Sequence, residues 1–85
     1  FDNAIYYYKK ILSQVPDYAE VLNNIANLKQ KQGHSDTAID YYNKALNIRP
    51  NYVDARCNLG NTLKSKGQFV EAIYNYKKAL EINPD

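Results

Sequence analysis

Asn51-Tyr-Val-Asp-Ala-Arg-Cys-Asn-Leu-Gly60, Asn61-Thr-Leu-Lys-Ser-Lys-Gly67 and Gln68-Phe-Val-Glu-Ala72-Ile-Tyr-Asn-Tyr76-Lys-Lys-Ala79-Leu80-Glu-Ile-Asn-Pro84 form one unit of 34 residues, and most of the chain before it repeats the same pattern. Ala4, Ala38 and Ala72 stand 34 residues apart, as do Ile5/Ile39/Ile73, Tyr8/Tyr42/Tyr76, Lys10/Lys44/Lys78, Leu12/Leu46/Leu80 and Pro16/Pro50/Pro84. Gly33/Gly67, Tyr18/Tyr52, Asn24/Asn58 and Asn27/Asn61 keep the same interval. A fixed period of this length over a whole chain is the mark of a repeat architecture, in which each unit buries its apolar face on its neighbours.

Within the period the apolar residues follow the spacing of helices. Ala4, Ile5, Tyr8, Ile11 and Leu12 fall on one face of a helix expected over Phe1–Gln14, which Pro16 ends. Asp17 and Glu20 suggest a capping-box start for a second helix, Ala19–Gln32, with Val21, Leu22, Ile25 and Ala26 inward and Gly33 as its left-handed stop. Ser35 is the expected N-cap of a third helix, Asp36–Ile48, buried through Ala38, Ile39, Tyr42, Ala45 and Leu46. The last repeat restates the pair as Val53–Lys66, inward at Ala55, Leu59, Gly60 and Leu63, and Val70–Ile82, inward at Ala72, Ile73, Tyr76, Ala79 and Leu80. Small residues, Ala26 and Gly60 opposite Ala38 and Ala72, mark where the helices of each hairpin should come closest. The fold class is therefore all-α: five helices in a single array of residues 1–85, with no linker or composition shift to divide it.

The residues Asn58-Leu59-Gly60, Gly67, Ala72, Tyr76, Ala79 and Pro84, in a helix-turn-helix period, resemble the tetratricopeptide repeat (TPR). The resemblance implies a short right-handed superhelical solenoid: the second helix of a truncated repeat over 1–16, a complete repeat over 17–50 and another over 51–85. The start at Phe1, part-way through a repeat, suggests a piece of a longer protein. Two positions depart from the family pattern. Leu22 and Arg56 stand where the family has a large aromatic early in the first helix, and Lys29 and Leu63 stand at its mid-helix aromatic.

Composition excludes several functions. Eleven basic and nine acidic residues, interleaved to a net charge of +2, give no basic surface for nucleic acid or an anionic membrane. No run approaches the length of a membrane span. A single cysteine, Cys57, and no Asn-x-Ser/Thr acceptor favour a reducing compartment, cytoplasmic or nucleocytoplasmic. His34 stands alone after a turn glycine, and Cys57 has no neighbouring base or second thiol. The sequence thus suggests no catalytic constellation, metal site or cofactor site. The nine tyrosines, mostly on second helices, are expected to pack between helices with their hydroxyls at the surface. Lys9, Lys10, Lys44, Lys77 and Lys78 come late on their helices, where the macrodipole favours cations.

The first helices carry a second, polar stripe. Glu20, Asn24, Asn27 and Lys31 lie on one helical face, and Asp54, Asn58, Asn61 and Ser65 repeat it, flanked by Asn23, Gln30, Cys57 and Lys64. By resemblance to the family, this face lines the concave wall where extended peptides are held. An asparagine amide both donates and accepts, so successive asparagines can pair with a peptide backbone whatever its side chains are. The alternative is that these asparagines are solvated, with Asn58 bracing a neighbouring helix. The expected peptide-binding residues are Asn24, Asn27, Asn58, Asn61, Glu20, Asp54, Lys31 and Lys64.

The stretches Leu22–Gly33 and Asp54–Gly67 are also similar to the repeats of the O-linked N-acetylglucosamine transferases, whose asparagines at the positions of Asn24 and Asn58 contact substrate backbone. That likeness implies substrate recognition with no catalytic domain in these residues. Asp54 and Asn58 supply none of the cations with which another branch of the family clamps chaperone C-termini. Two functions follow: a module binding an extended segment of a partner or substrate protein, or an assembly module that forms homo-oligomers through its terminal helices, where Phe1, Tyr7, Phe69 and Tyr74 are expected to be exposed.

Overall fold

The structure, a computed structural model, describes residues 2–14 and 18–84, with side chains from residue 3 to 10 and from 18 onward. Five helices form: α1 (Asp2–Gln14), α2 (Ala19–Lys31), α3 (Ser35–Ile48), α4 (Val53–Ser65) and α5 (Phe69–Ile82). Each packs on the next in sequence, and α4 also touches α2. The chain is thus a stack of hairpins, α2/α3 and α4/α5, with α1 resting on α2. Expectations at Phe1, Pro16 and Asp17, and for the side chains of Ile11 and Leu12, lie outside the described residues.

The hairpin turns are identical in mechanism. Gly33 and Gly67 take φ of +85° and +80°, open to glycine without strain. Around Gly33, the His34 N–H bonds the Lys29 carbonyl at 2.9 Å and the Gly33 N–H bonds that of Gln30 at 3.0 Å. Around Gly67, the Gln68 N–H bonds Leu63 at 2.9 Å and the Gly67 N–H bonds Lys64 at 3.0 Å. This is the Schellman closure twice over, satisfying carbonyls that a helix end leaves open.

The N-termini differ from expectation. Ser35 is the first residue of α3 and His34 is its N-cap, with no side-chain capping bond. Tyr18 caps α2, and its hydroxyl instead donates to Glu20 Oε2 at 2.9 Å. At the other ends, Lys29, Lys31 and Lys64 occupy last turns. Lys9, Lys10, Lys44, Lys77 and Lys78 fall short of them, because their helices run on for another turn. Lys44 and Lys78 lie over the rings of Tyr41 and Tyr74 instead.

One core runs through both hairpins. Val21, Leu22, Ile25 and Ala26 of α2, Ala38, Tyr42, Ala45 and Leu46 of α3, and Ala55, Leu59, Gly60 and Leu63 of α4 are buried where periodicity placed them. In α5, Ala72 and Ala79 are buried, but Ile73 is 52% and Leu80 59% exposed, contrary to the inward assignment. The reason is positional. Their counterparts Ile39 and Leu46 lie beneath α4, and among the described residues no helix follows α5. Tyr42 also departs from expectation: it is wholly buried, so its hydroxyl is internal.

Arg56 takes the place of the family's aromatic. Its guanidinium donates to Asn75 Oδ1 of α5 at 3.2 Å and to the Pro50 carbonyl at 3.3 Å, tying helix, partner and preceding turn together. Its Nε is buried with no partner.

Candidate functional site

The polar stripes of α2 and α4 face the same trough, a cavity of about 490 Å³ between the two helices. Glu20, Asn23, Asn24 and Asn27 form the α2 wall; Asp54, Cys57 and Asn58 form the α4 wall, and Tyr52 closes one end. The spacing brings this about: positions i, i+4 and i+7 of one helix line up along its axis, and the 34-residue repeat sets the second row beside the first.

Of the expected site residues, Glu20, Asn24, Asn27, Asp54 and Asn58 line the trough. Asn61, Lys31 and Lys64 do not. Asn61 is engaged within its own hairpin, where its Oδ1 accepts the Tyr76 hydroxyl proton. Asn27 accepts the Tyr42 hydroxyl in the same way, with Gln30 Oε1 at 3.3 Å from that hydroxyl. In each repeat an asparagine on the first helix therefore braces a tyrosine on the second, and Asn27 also lines the trough. Asn58 donates to Asn23 Oδ1 at 3.4 Å, a bridge from α4 to α2 across the trough floor. Asn24 and Asp54 make no hydrogen bond to other described residues, which leaves an amide and a carboxylate open to a ligand.

Tyr52 is the wall residue that sequence placed between units. It is 7% exposed, and the Arg49 guanidinium carbon sits 4.0 Å from its ring centroid. Burial pushes its phenol upward and nearby Glu20 adds to that, so it stays neutral in the physiological range. Tyr18, at the equivalent place one repeat earlier, is 46% exposed. Its phenol is raised chiefly by its hydrogen bond to Glu20.

The wall carries two carboxylates, four asparagine amides, a phenol and a thiol, and no lysine or arginine. No group of three histidine, cysteine or acidic side chains that could hold a metal occurs among the described residues. No described helix is long and apolar enough to cross a membrane. The wall thus offers both hydrogen-bond donors and acceptors, and its only formal charges are negative.

The profile of the tetratricopeptide repeat family matches residues 19–52 and 53–85. Among solved structures, a crystal structure of MamA superimposes with a TM-score of 0.89 at 28% identity, covering 94% of this chain and 47% of that one. A second crystal structure of MamA protein gives 0.85 and 28%, covering 94% and 44%. A point mutant of MamA gives 0.83 and 26%, covering 89% and 56%. The chain spans about half the length of the solved structures it matches. No curated protein matches the sequence significantly.

Proposed function

The chain belongs to the tetratricopeptide repeat family, whose fold is that of a protein-interaction module, and from that premise we propose that it binds an extended segment of a partner protein in the trough between α2 and α4. The observation that carries this reading is the open amide of Asn24 beside the unpaired carboxylate of Asp54, in a cavity walled by asparagines. Asn24 and Asn58 meet the peptide backbone, Asn27 contributes its free N–H groups, and Glu20 and Asp54 favour segments carrying a basic residue. Lys31, Lys64 and Asn61 lie beyond the wall and contact only a longer segment. By the asparagine pattern, the trough is similar to the substrate-recognition repeats of sugar transferases; in that setting it would present a substrate segment to a catalytic domain elsewhere in a longer, reducing-compartment protein.

The test is a titration of a labelled extended-peptide library against the chain and its Asn24→Ala/Asn58→Ala variant. The expected result is binding tolerant of side-chain identity, weakened about tenfold or more in the variant, with helicity unchanged. Equal binding by both proteins would sink the proposal.

A second reading is self-association through the terminal helices. It is favoured by the apolar exposure of α5, where Val70 is 82% and Leu80 59% exposed. Sedimentation that stays monomeric over the micromolar to millimolar range refutes it.

A further inference from the structure

A groove of about 390 Å³ opens between α3 and α5, over α4, and shares no lining residue with the trough. Ile39, Leu59 and Leu63 give it an apolar floor, in which both leucines are 4% exposed. Val70 and Tyr74 of α5 form one edge and stand 82% and 55% exposed. Asn75 of the same wall is buried and fully engaged: its Oδ1 accepts from Arg56 and its amide donates to the Glu71 carbonyl. The wall is therefore fixed in place.

The repeat supplies a control for that exposure. Thirty-four residues before Val70 and Tyr74 stand Asp36 and Asp40, and before Asn43 and Leu63 stand Lys9 and Lys29. Asp36 and Asp40 are exposed although the α4/α5 hairpin is already stacked beyond them. The Asp36 side chain remains 84% exposed even with Lys66, at the next hairpin turn, paired to it. A following hairpin of the same pattern would thus leave the Val70 and Tyr74 positions in solvent. Nor does the fold require apolar side chains there, since the copy with two aspartates adopts the same hairpin. An apolar edge continuous with an apolar floor, where packing demands neither, has the character of an interaction site.

The lining also states the chemistry of what it takes. Glu71 is its one charged residue, and the Glu71 carboxylate has no partner among the described residues. The cation beside the groove, Lys78, lies over the Tyr74 ring and pairs with Glu81 at 3.6 Å. Asn43 is exposed, and its amide makes no hydrogen bond to other described residues. We propose that this groove docks a segment of another protein in which a large apolar side chain is flanked by lysine or arginine. The apolar side chain fills the space over Leu59 and Leu63, where leaving water is its main gain. The flanking cation meets Glu71, and the Asn43 amide pairs with the segment's backbone.

The test is selection of short random peptides displayed on phage against the chain, followed by titration of the enriched peptides. They should carry an aromatic or branched aliphatic residue next to lysine or arginine. Val70→Asp/Tyr74→Asp, which copies the residues of the preceding repeat and so should keep the helicity, should weaken them about tenfold or more. Glu71→Gln should remove the preference for the basic neighbour, and Asn24→Ala/Asn58→Ala should change nothing. Peptides indifferent to Val70→Asp/Tyr74→Asp, peptides lost only in the asparagine variant, or no enrichment at all would overturn the site. A preference for acidic peptides, or a basic preference that survives Glu71→Gln, would overturn the stated partner. Self-association seen by sedimentation and abolished by Val70→Asp/Tyr74→Asp would make a second copy the occupant and overturn it likewise. The trough reading stands or falls separately, on the asparagine variant.

Discussion

Tyr76 lays its ring across Gly60, so that a methyl built on Gly60 would come 2.8 Å from Cε1 and 3.0 Å from Cζ. The ring is not free to swing aside, since its hydroxyl is held by Asn61. Gly60→Ala removes a mid-helix glycine, worth about 1 kcal/mol in helix propensity, and inserts a carbon where there is no room, at about 1–3 kcal/mol. Net destabilisation of about 1 kcal/mol is expected in urea unfolding. A gain of similar size would show that the hairpin relaxes to the spacing that Ala26 already has in the repeat before it.

The paired tyrosine–asparagine braces should differ in worth. Tyr42 is wholly buried and its hydroxyl donates to Asn27, whereas the Asn61 bond of Tyr76 is exposed. Tyr42→Phe should cost about 1 kcal/mol, a fall in Tm of about 4–8 °C at this size. Tyr76→Phe should shift Tm by less than half as much. Thermal melts by circular dichroism decide this, and equal shifts would mean that burial does not set the value of the hydroxyl.

Tyr42 should also make the fold sensitive to alkali. Burial pushes its phenol from 10.0 up to about 12, against a smaller opposing pull from the Thr62 hydroxyl. Below pH 10 both folded and unfolded chains keep this proton, and its contribution to stability is whole. As pH rises from about 10 to about 12 the unfolded state ionises first, so stability falls, by on the order of 2 kcal/mol for a shift of this size. Denaturant midpoints measured across that range should drop in the native chain and drop less in Tyr42→Phe.

The fold was legible because the 34-residue period fixes which residues are equivalent, and helical spacing fixes which face is apolar. Neither says what covers a face. Ile39 and Ile73 are the same residue in the same pattern, yet one packs on the core and the other is 52% exposed. The polar stripe was legible at Glu20, Asn24, Asp54 and Asn58 because their types and spacing recur. Its reach was not: Asn27 and Asn61 share the spacing and each accepts a tyrosine hydroxyl, yet only Asn27 lines the trough, because the trough lies between α2 and α4 and spacing alone does not say which stretch of each helix faces the other. Tyr52 could have been found from its match to Tyr18, had the turn before α4 been recognised as the end wall of the trough. Arg56 was read only as a missing aromatic, because its partners Asn75 and Pro50 are brought to it by packing.

Leu46 and Leu80 give the sharpest test of this dependence on position. Both occupy the same place in their repeats, but Leu46 is 8% exposed under α4 and Leu80 is 59% exposed on the open face of α5. Leu46→Ala should cost about 2–4 kcal/mol, combining lost transfer energy with a cavity that rigid neighbours cannot close. In dilute solution, Leu80→Ala should stay within about 0.5 kcal/mol of the native chain. At high protein concentration the comparison should change. If copies stack on that face, native stability rises with concentration, Leu80→Ala loses that rise, and the gap between the two proteins widens. Equal costs for the two substitutions in dilute solution would mean that α5 is already covered there, and concentration-independent melts would place that face outside any contact between copies.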